Sequence, residues 1–385
     1  MLRNTLSLVT AGALLLTSAL ALTGCGPTLA QIDPKEVVNV TVRPASGQLL
    51  YCPGDSFQVE VVAKLKDGTS CSNIDEKKGC KKETDMVIAP ELVKITGSNG
   101  RQTGDAEKFI WSPDADFLKT ADTGITLKAW LESSATGAPV KSMDAEVSLK
   151  PVYDCLKMET TFNGATGSRP GDNGSTGPTV QIAVTKLSTP FYPDAALIRI
   201  DVGANRVYML SPSSDKPVRI LAAGGPGAQG PKGQNGKDGI AGKDATEECA
   251  IGGDGGNGSP GLGGGKGGNG GPGGIIKVLL DETHADKLKG RLLLATPGGA
   301  PGPAGLGGIG GFGGHPGSGG PLKAGDPNCK PASGKMGKAA ENGPQGTPGL
   351  AGPTGPEPTF ETSQRNKLFA NELAIIERIE GAKAK

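Results

Sequence analysis

Apolar and polar positions alternate in short bursts over residues 36–150. The runs VVNVTV (37–42), FQVEVVAKL (57–65), ELVKITG (91–97), KFIWS (108–112), ITLKAWLE (125–132) and DAEVSLK (144–150) are rich in β-branched residues and separated by turn formers. A period of two with one apolar face predicts the strands of an antiparallel β-sandwich over 36–150. Similar runs return in two later inserts: VQIAVTKL, ALIRIDV, RVYML and VRILAA in 179–223, and IIKVLL and RLLLAT in 275–298. These predict one small capping β-sheet. The spacing changes again at the end of the chain. Phe369, Leu373, Ile376 and Ile379 recur at helical intervals, which predicts a C-terminal helix over 363–385.

Between these elements the alternation stops and glycine sets the beat. Five blocks place it at every third position. Block one is short and slips register, with Gly164 and Gly167 followed by Gly171, Gly174 and Gly177. Block two runs from Gly224 to Gly242, block three from Gly252 to Gly273, and block four from Gly299 to Gly320. Block five runs from Gly334 to Gly355 with Ala340 as its lapse. With 64 Gly and 30 Pro in 385 residues and only 4% aromatics, a single large apolar core is not expected.

A polyproline II helix has three residues per turn and no internal hydrogen bonds. Its backbone groups must be satisfied by neighbours at close approach, and glycine on the contact edge permits that approach. Two architectures meet the requirement: a collagen triple helix of three chains, or one chain folded back into a bundle. The bundle over 151–362 is favoured. The blocks are short, inserts of turn-like length separate them, and block three carries a second glycine track (Gly253, Gly256, Gly265, Gly268, Gly271, Gly274). That track predicts block three innermost and blocks two and five outside. At about 3.1 Å per residue a long block spans roughly 65–70 Å. Alternating directions would gather 179–223, 275–298 and the tail at one end, and 155–163, 245–251 and 321–333 at the other.

The chain opens with Arg3, an apolar run from Leu6 to Leu22, and Leu22-Thr23-Gly24-Cys25. This resembles the signal peptide and lipobox of bacterial lipoproteins. The resemblance implies lipidation at Cys25, removal of the preceding residues, a tether over 26–35, and residence at the outer membrane through the anchor. Six cysteines then remain, an even number for an exported chain and compatible with 15 connectivities. Cys249 and Cys329 fall in inserts at one end of the folded-back chain and form a natural pair. Cys52 with Cys155 would tie the two domains. Cys71 and Cys80 flank the charged loop 72–79 and would close it locally.

The opening of the strand-rich region, VTVRPASGQLLYCPGDSFQVEVVA, is similar to the start of bacterial immunoglobulin-like domains. The stretch CAIGGDGGNGSPGLGGGKGGNGGPGG resembles the polyproline II bundle of the snow flea antifreeze protein. It also looks like glycine-rich, collagen-like lipoproteins of Gram-negative bacteria. This likeness covers 164–356 and supports fold more than function. The expected fold is thus mainly β and irregular: an immunoglobulin-like sandwich, a polyproline II bundle capped by a small sheet, and a C-terminal helix.

Candidate chemistry is sparse. Two histidines, His284 and His315, are too few for a histidine metal site. No phosphate loop, nucleophile elbow or zinc motif occurs, and GxGxxG strings arise here from composition alone. A net charge of +1 gives no electrostatic reason to expect nucleic acid. The one patterned surface feature is an apolar stripe in block four, Leu306, Ile309 and Phe312, three residues apart on one edge. It is either packed inside or a docking ridge. The expectation is a monomeric, non-catalytic, lipid-anchored envelope protein with no cofactor or metal and a structural or adhesive role toward a protein or glycan. The rivals are a trimeric collagen-like stalk and an ice-binding protein; irregular Lys, Asp and Gln on the outer edges speak against the latter.

Overall fold

The computed structural model describes residues 28–74, 80, 86–103, 108–133 and 137–382. Cys25, the leader and the first residues of the tether lie outside them. The fold is mainly β, with several sheets.

The N-terminal unit starts with β1 (Thr28–Ala30), β2 (Val37–Pro44), β3 (Leu50–Tyr51), β4 (Phe57–Leu65), β5 (Ser70–Ser72) and β6 (Met86–Ile88). It continues through β7 (Val93–Gly97), β8 (Gly100–Thr103), β9 (Ile110–Pro113), the short α1 (Phe117–Thr120), β10 (Ile125–Ser133), β11 (Val140–Lys141) and β12 (Ala145–Pro151). One sheet has the order β2-β4-β9-β8 with β5 also on β4; a second has β11-β10-β12-β3 with β7 also on β10. The alternation seen in sequence is the burial pattern. Val59, Val61 and Ala63 of β4 and Leu127, Ala129 and Leu131 of β10 enter one core.

Two sheets, where one was expected, follow. β13 (Glu159–Asn163), β17 (Val218–Ala223) and β19 (Leu292–Ala295) form an all-parallel sheet in that order. β14 (Thr179–Leu187), β15 (Ala195–Val202), β16 (Asn205–Ser211), β18 (Ile275–Asp281) and β20 (Thr359–Ser363) form the other, ordered β16-β15-β14-β18-β20. They share a core of Val180, Ile182, Ile198, Ile220, Ile276 and Val278, closed by Leu288 of α2 (Ala285–Lys289).

The need for two sheets lies in the glycine blocks, which continue the strands. β13, β17 and β19 run out into block one, block two and block four. Blocks one, three and five run back into β14, β18 and β20. Block one serves both sets because it is a hairpin. Gly164 and Gly167 donate to Ala223 O and Pro226 O, parallel to block two. The chain then reverses at Ser168–Asp172, with Gly171 at φ +86° and Asp172 Oδ2 accepting from Arg169 N at 2.9 Å. On the return, Gly174 and Gly177 donate to Asn269 O and Pro272 O of block three. The slip in register is therefore a reversal. It corrects the expected grouping, since 155–163 lies at the sheet end and not with 245–251 and 321–333.

The long blocks are joined by backbone ladders at every third residue. Block two donates to block four in parallel, from Gly224→Pro297 to Ala245→Ser318 at 2.8–3.0 Å. Block three donates antiparallel to block two and parallel to block five; block four donates antiparallel to block three, and block five to block four. The outgoing leg with blocks two and four makes one layer, the return leg with blocks three and five the other. Block three contacts all the others. Block four is nearly as enclosed, and its own second glycine track, Gly307, Gly310 and Gly313, lies against the carbonyls of block five.

The C-terminus departs from the expected single helix. Residues Thr359–Ser363 join β18 as an edge strand, and α3 (Arg365–Leu368) and α4 (Leu373–Gly381) follow. The break is held by a side chain. Arg199 Nη1 donates to Leu368 O at 2.5 Å and pairs with buried Glu372, which also accepts from Tyr208 Oη at 2.6 Å. Phe369, Ile376 and Ile379 are fully buried beside Phe117, Leu118 and Ala121 of the N-terminal unit, so one core spans both units. Arg378 Nη2 adds a bond to Leu118 O at 2.8 Å.

Candidate functional site

The stripe Leu306, Ile309 and Phe312 is exposed, at 56%, 51% and 69%. The fold gives it a rigid base. The carbonyls of all three accept from Gly233, Gly236 and Gly239 of block two at 2.8–2.9 Å. The amides of Ile309 and Phe312 are also taken, by Asn235 Oδ1 at 3.0 Å and Asp238 Oδ1 at 2.7 Å.

The second set of bonds follows a rule that sequence reasoning missed. Wherever two blocks run parallel, an Asn or Asp in the third place of a glycine triplet accepts the spare amide of the neighbouring block. Asp244 does so for Ser318, Asp254 for Lys335, Asn257 for Lys338, Asn269 for Leu350 and Asn173 for Asn269. The distances are 2.6–2.9 Å. The signal was present in the recurrent GxN and GxD triplets, but its meaning depends on which block lies alongside. The outer face of this layer thus presents two tracks side by side: Lys232, Asn235 and Asp238 from block two, and Leu306, Ile309 and Phe312 from block four.

The cysteines divide into three pairs of different kinds. Cys249–Cys329 closes the far end of the layers with Cα atoms 4.9 Å apart, and Cys52–Cys155 ties the N-terminal unit to β13 at 6.1 Å. Cys71 and Cys80, expected to close their loop as a disulfide, are instead two buried thiols in the N-terminal core. They share a hydrogen bond. It raises the Cys71 thiol, whose proton it holds, and lowers the Cys80 thiol that accepts it.

No group of three His, Cys, Asp or Glu placed to hold a metal ion occurs among the described residues. A shallow depression of about 250 Å³ lies between α1 and β16, lined by Phe117, Leu156, Lys157, Glu159, Tyr208 and Met209. It is mainly apolar and open. Among the described residues no helix is long and apolar enough to cross a membrane. No protein-family model, curated protein or solved structure matches the chain.

Proposed function

We propose that this chain is a non-catalytic, lipid-anchored cell-envelope protein with a structural or adhesive role. In this reading an immunoglobulin-like β-sandwich carries a single-chain polyproline II bundle, anchored through Cys25 to the outer membrane. The ladders support a single-chain bundle over a collagen-like trimer. The glycine amides that a triple helix would share between chains are already bonded within one chain. The observation that carries the binding role is the exposed row Leu306, Ile309 and Phe312 on a backbone held by all three carbonyls and by the amides of Ile309 and Phe312. Three large apolar side chains in register on a stiff face form a contact surface for a protein or glycan partner.

Two measurements test the reading. Cys25→Ala is expected to move the protein from the membrane to the soluble fraction of the envelope; unchanged fractionation would defeat the anchor. A photo-reactive phenylalanine analogue at position 312 is expected to capture a partner on intact cells. Absence of any adduct there, with adducts from exposed control positions, would defeat the contact surface.

A further inference from the structure

We propose that the outer face of blocks two and four is a homodimer interface, on which a second copy of this chain packs antiparallel about a two-fold axis level with Asn235 and Ile309. This rests on the contact-surface reading above and names its partner.

The first argument is charge. On this face Lys232 stands beside Leu306, Asn235 beside Ile309 and Asp238 beside Phe312, as the ladder Gly233→Leu306, Gly236→Ile309, Gly239→Phe312 requires. A two-fold axis in the plane of the face, perpendicular to the blocks, sets each track against its own reverse. Lys232 then meets Asp238 of the second copy, and Asp238 meets its Lys232. Leu306 meets Phe312, and Ile309 meets Ile309. Further out, Gln229 faces Ala241 and Pro303 faces His315, so no like charges are brought together. A parallel arrangement, with the axis along the blocks, would instead set each block two over a block four, with Lys232 against Leu306 and Asp238 against Phe312, so that the charges would be covered by apolar side chains with no partner.

The second argument is position. The ladder that joins block two to block four spans residues 224–245, and Asn235 lies at its midpoint. An axis there overlaps the two sets of layers over their whole length, roughly 65 Å. Each sheet end then falls just beyond the other copy's Cys249–Cys329 end, so the wide parts do not collide. The spacing of about 9 Å between successive side chains of the row lets each opposed pair pack without crowding the next. The dimer carries its two N-terminal units at opposite ends. Molecules anchored on two facing surfaces satisfy that geometry, which gives the adhesive role a homophilic form.

The test uses sedimentation velocity on the full mature chain and two charge-reversed variants. Wild type is expected to dimerise. Lys232→Asp alone and Asp238→Lys alone are each expected to weaken self-association more than tenfold, because each homodimer then carries two like-charge contacts. An equimolar mixture of the two variants restores both opposite-charge contacts and is expected to recover the dimer. A wild-type monomer at the highest soluble concentration, variants that still dimerise, or a mixture that stays monomeric each overturns the proposal. Asp238→Lys also removes the acceptor for Phe312 N, so unfolding curves accompany it. Phe312→Ser, which keeps every backbone bond, is expected to give the same loss of dimer, and a dimer unchanged by it counts against the interface. The photo-reactive analogue at 312 separates the two levels of the claim. A self-adduct to the 306 region of a second copy supports the dimer. An adduct only to another molecule sinks the dimer and leaves the contact surface standing, and no adduct at all sinks both.

Discussion

Gly314 and Gly256 both lie against Ile240, and their difference shows what the glycine beat is for. A methyl on Gly314 would fall on the Ile240 carbonyl, inside any allowed contact, whereas one on Gly256 would sit 3.1 Å from Ile240 N. Gly314→Ala is therefore expected to cost about 3 kcal/mol by forcing the blocks apart. Gly256→Ala, with no left-handed backbone to strain, should change stability by less than about 1 kcal/mol. Urea unfolding of the two variants checks this, and equal costs would contradict the account of the ladders. The beat itself was legible in sequence, but the reason for the second track was only half legible. Gly268, Gly271 and Gly274 are bare because the carbonyls of Asp172, Ser175 and Pro178 in the return leg press on them. Beyond the hairpin no carbonyl of the return leg reaches that track: Gly265 lies against the Pro231 ring, and Ser259 and Leu262 carry exposed side chains there. Ala340 keeps its bond to Gly311 O at 2.9 Å, yet the next rung, Gly261→Glu341, is the longest of its ladder at 3.1 Å. Aromatic residues add a pH dependence. Burial pushes the Tyr51 phenol up to about 12 and raises Tyr153 as well. Their folded-state values exceed the unfolded one, so the stability they confer is complete below pH 10 and lost as pH rises above it. Tyr51 alone contributes a slope of up to about 1.4 kcal/mol per pH unit between pH 10 and 12. Denaturant titrations across that window should show the decline, and Tyr51→Phe should lessen it.

At the scale of elements, strands and blocks are one construction. Asn163 pairs with Ala223 at the end of β13 and β17, and one residue later Gly164 donates to Ala223 O in the first rung beyond the sheet. Sheet order and layer order agree because register set in the strands carries into the blocks. Alternating apolar residues announced most of these strands. Their division into two sheets depended on reading the step from Gly167 to Gly171 as a turn, which the interval of four residues permits but does not require. The contact row was visible as Leu306, Ile309 and Phe312; its exposure was not, because it depends on which edge of block four remains uncovered. The side-chain acceptors are the least legible feature, since an Asp in a glycine triplet reads as solubility until its neighbour is known. Their weight is testable in block five. Asp254→Ala and Asn257→Ala remove the acceptors for the Lys335 and Lys338 amides. Each is expected to speed hydrogen exchange at its own target amide about fivefold, for a net bond of roughly 1 kcal/mol. The neighbouring Gly337 amide, bonded to Gly314 O, should exchange as before. Uniform acceleration across block five would mean that these side chains only fill space.

Across the whole molecule, two disulfides stand at places of unequal need. Cys249–Cys329 links ends separated by 80 residues, where the chain is otherwise joined by backbone rungs such as Cys249→Pro321 and Gly320→Ala250 and by the Ser318–Asp244 bond. Cys52–Cys155 spans 103 residues, but it lies beside a core in which Phe117 and Leu118 pack with Phe369, Ile376 and Ile379. The chain-entropy model gives both bonds a similar value, about 4–5 kcal/mol. The structure distinguishes them by what remains after removal. Without Cys249–Cys329 the glycine-rich ends have little apolar surface to hold them, and glycine gains more backbone freedom on release than any other residue. Cys249→Ser with Cys329→Ser is therefore expected to open the far rungs first. Hydrogen exchange should rise at Gly242, Gly252 and Gly320 well before it rises at Gly224 and Gly273. Without Cys52–Cys155 the shared core and the Arg378–Leu118 bond still join the two units. Cys52→Ser with Cys155→Ser should then lower the midpoint of thermal unfolding while leaving a single calorimetric transition, because neither unit can lose that core alone. Two separate transitions in that variant would show that the disulfide, and not the packing around Tyr153 and Phe369, makes the units act as one.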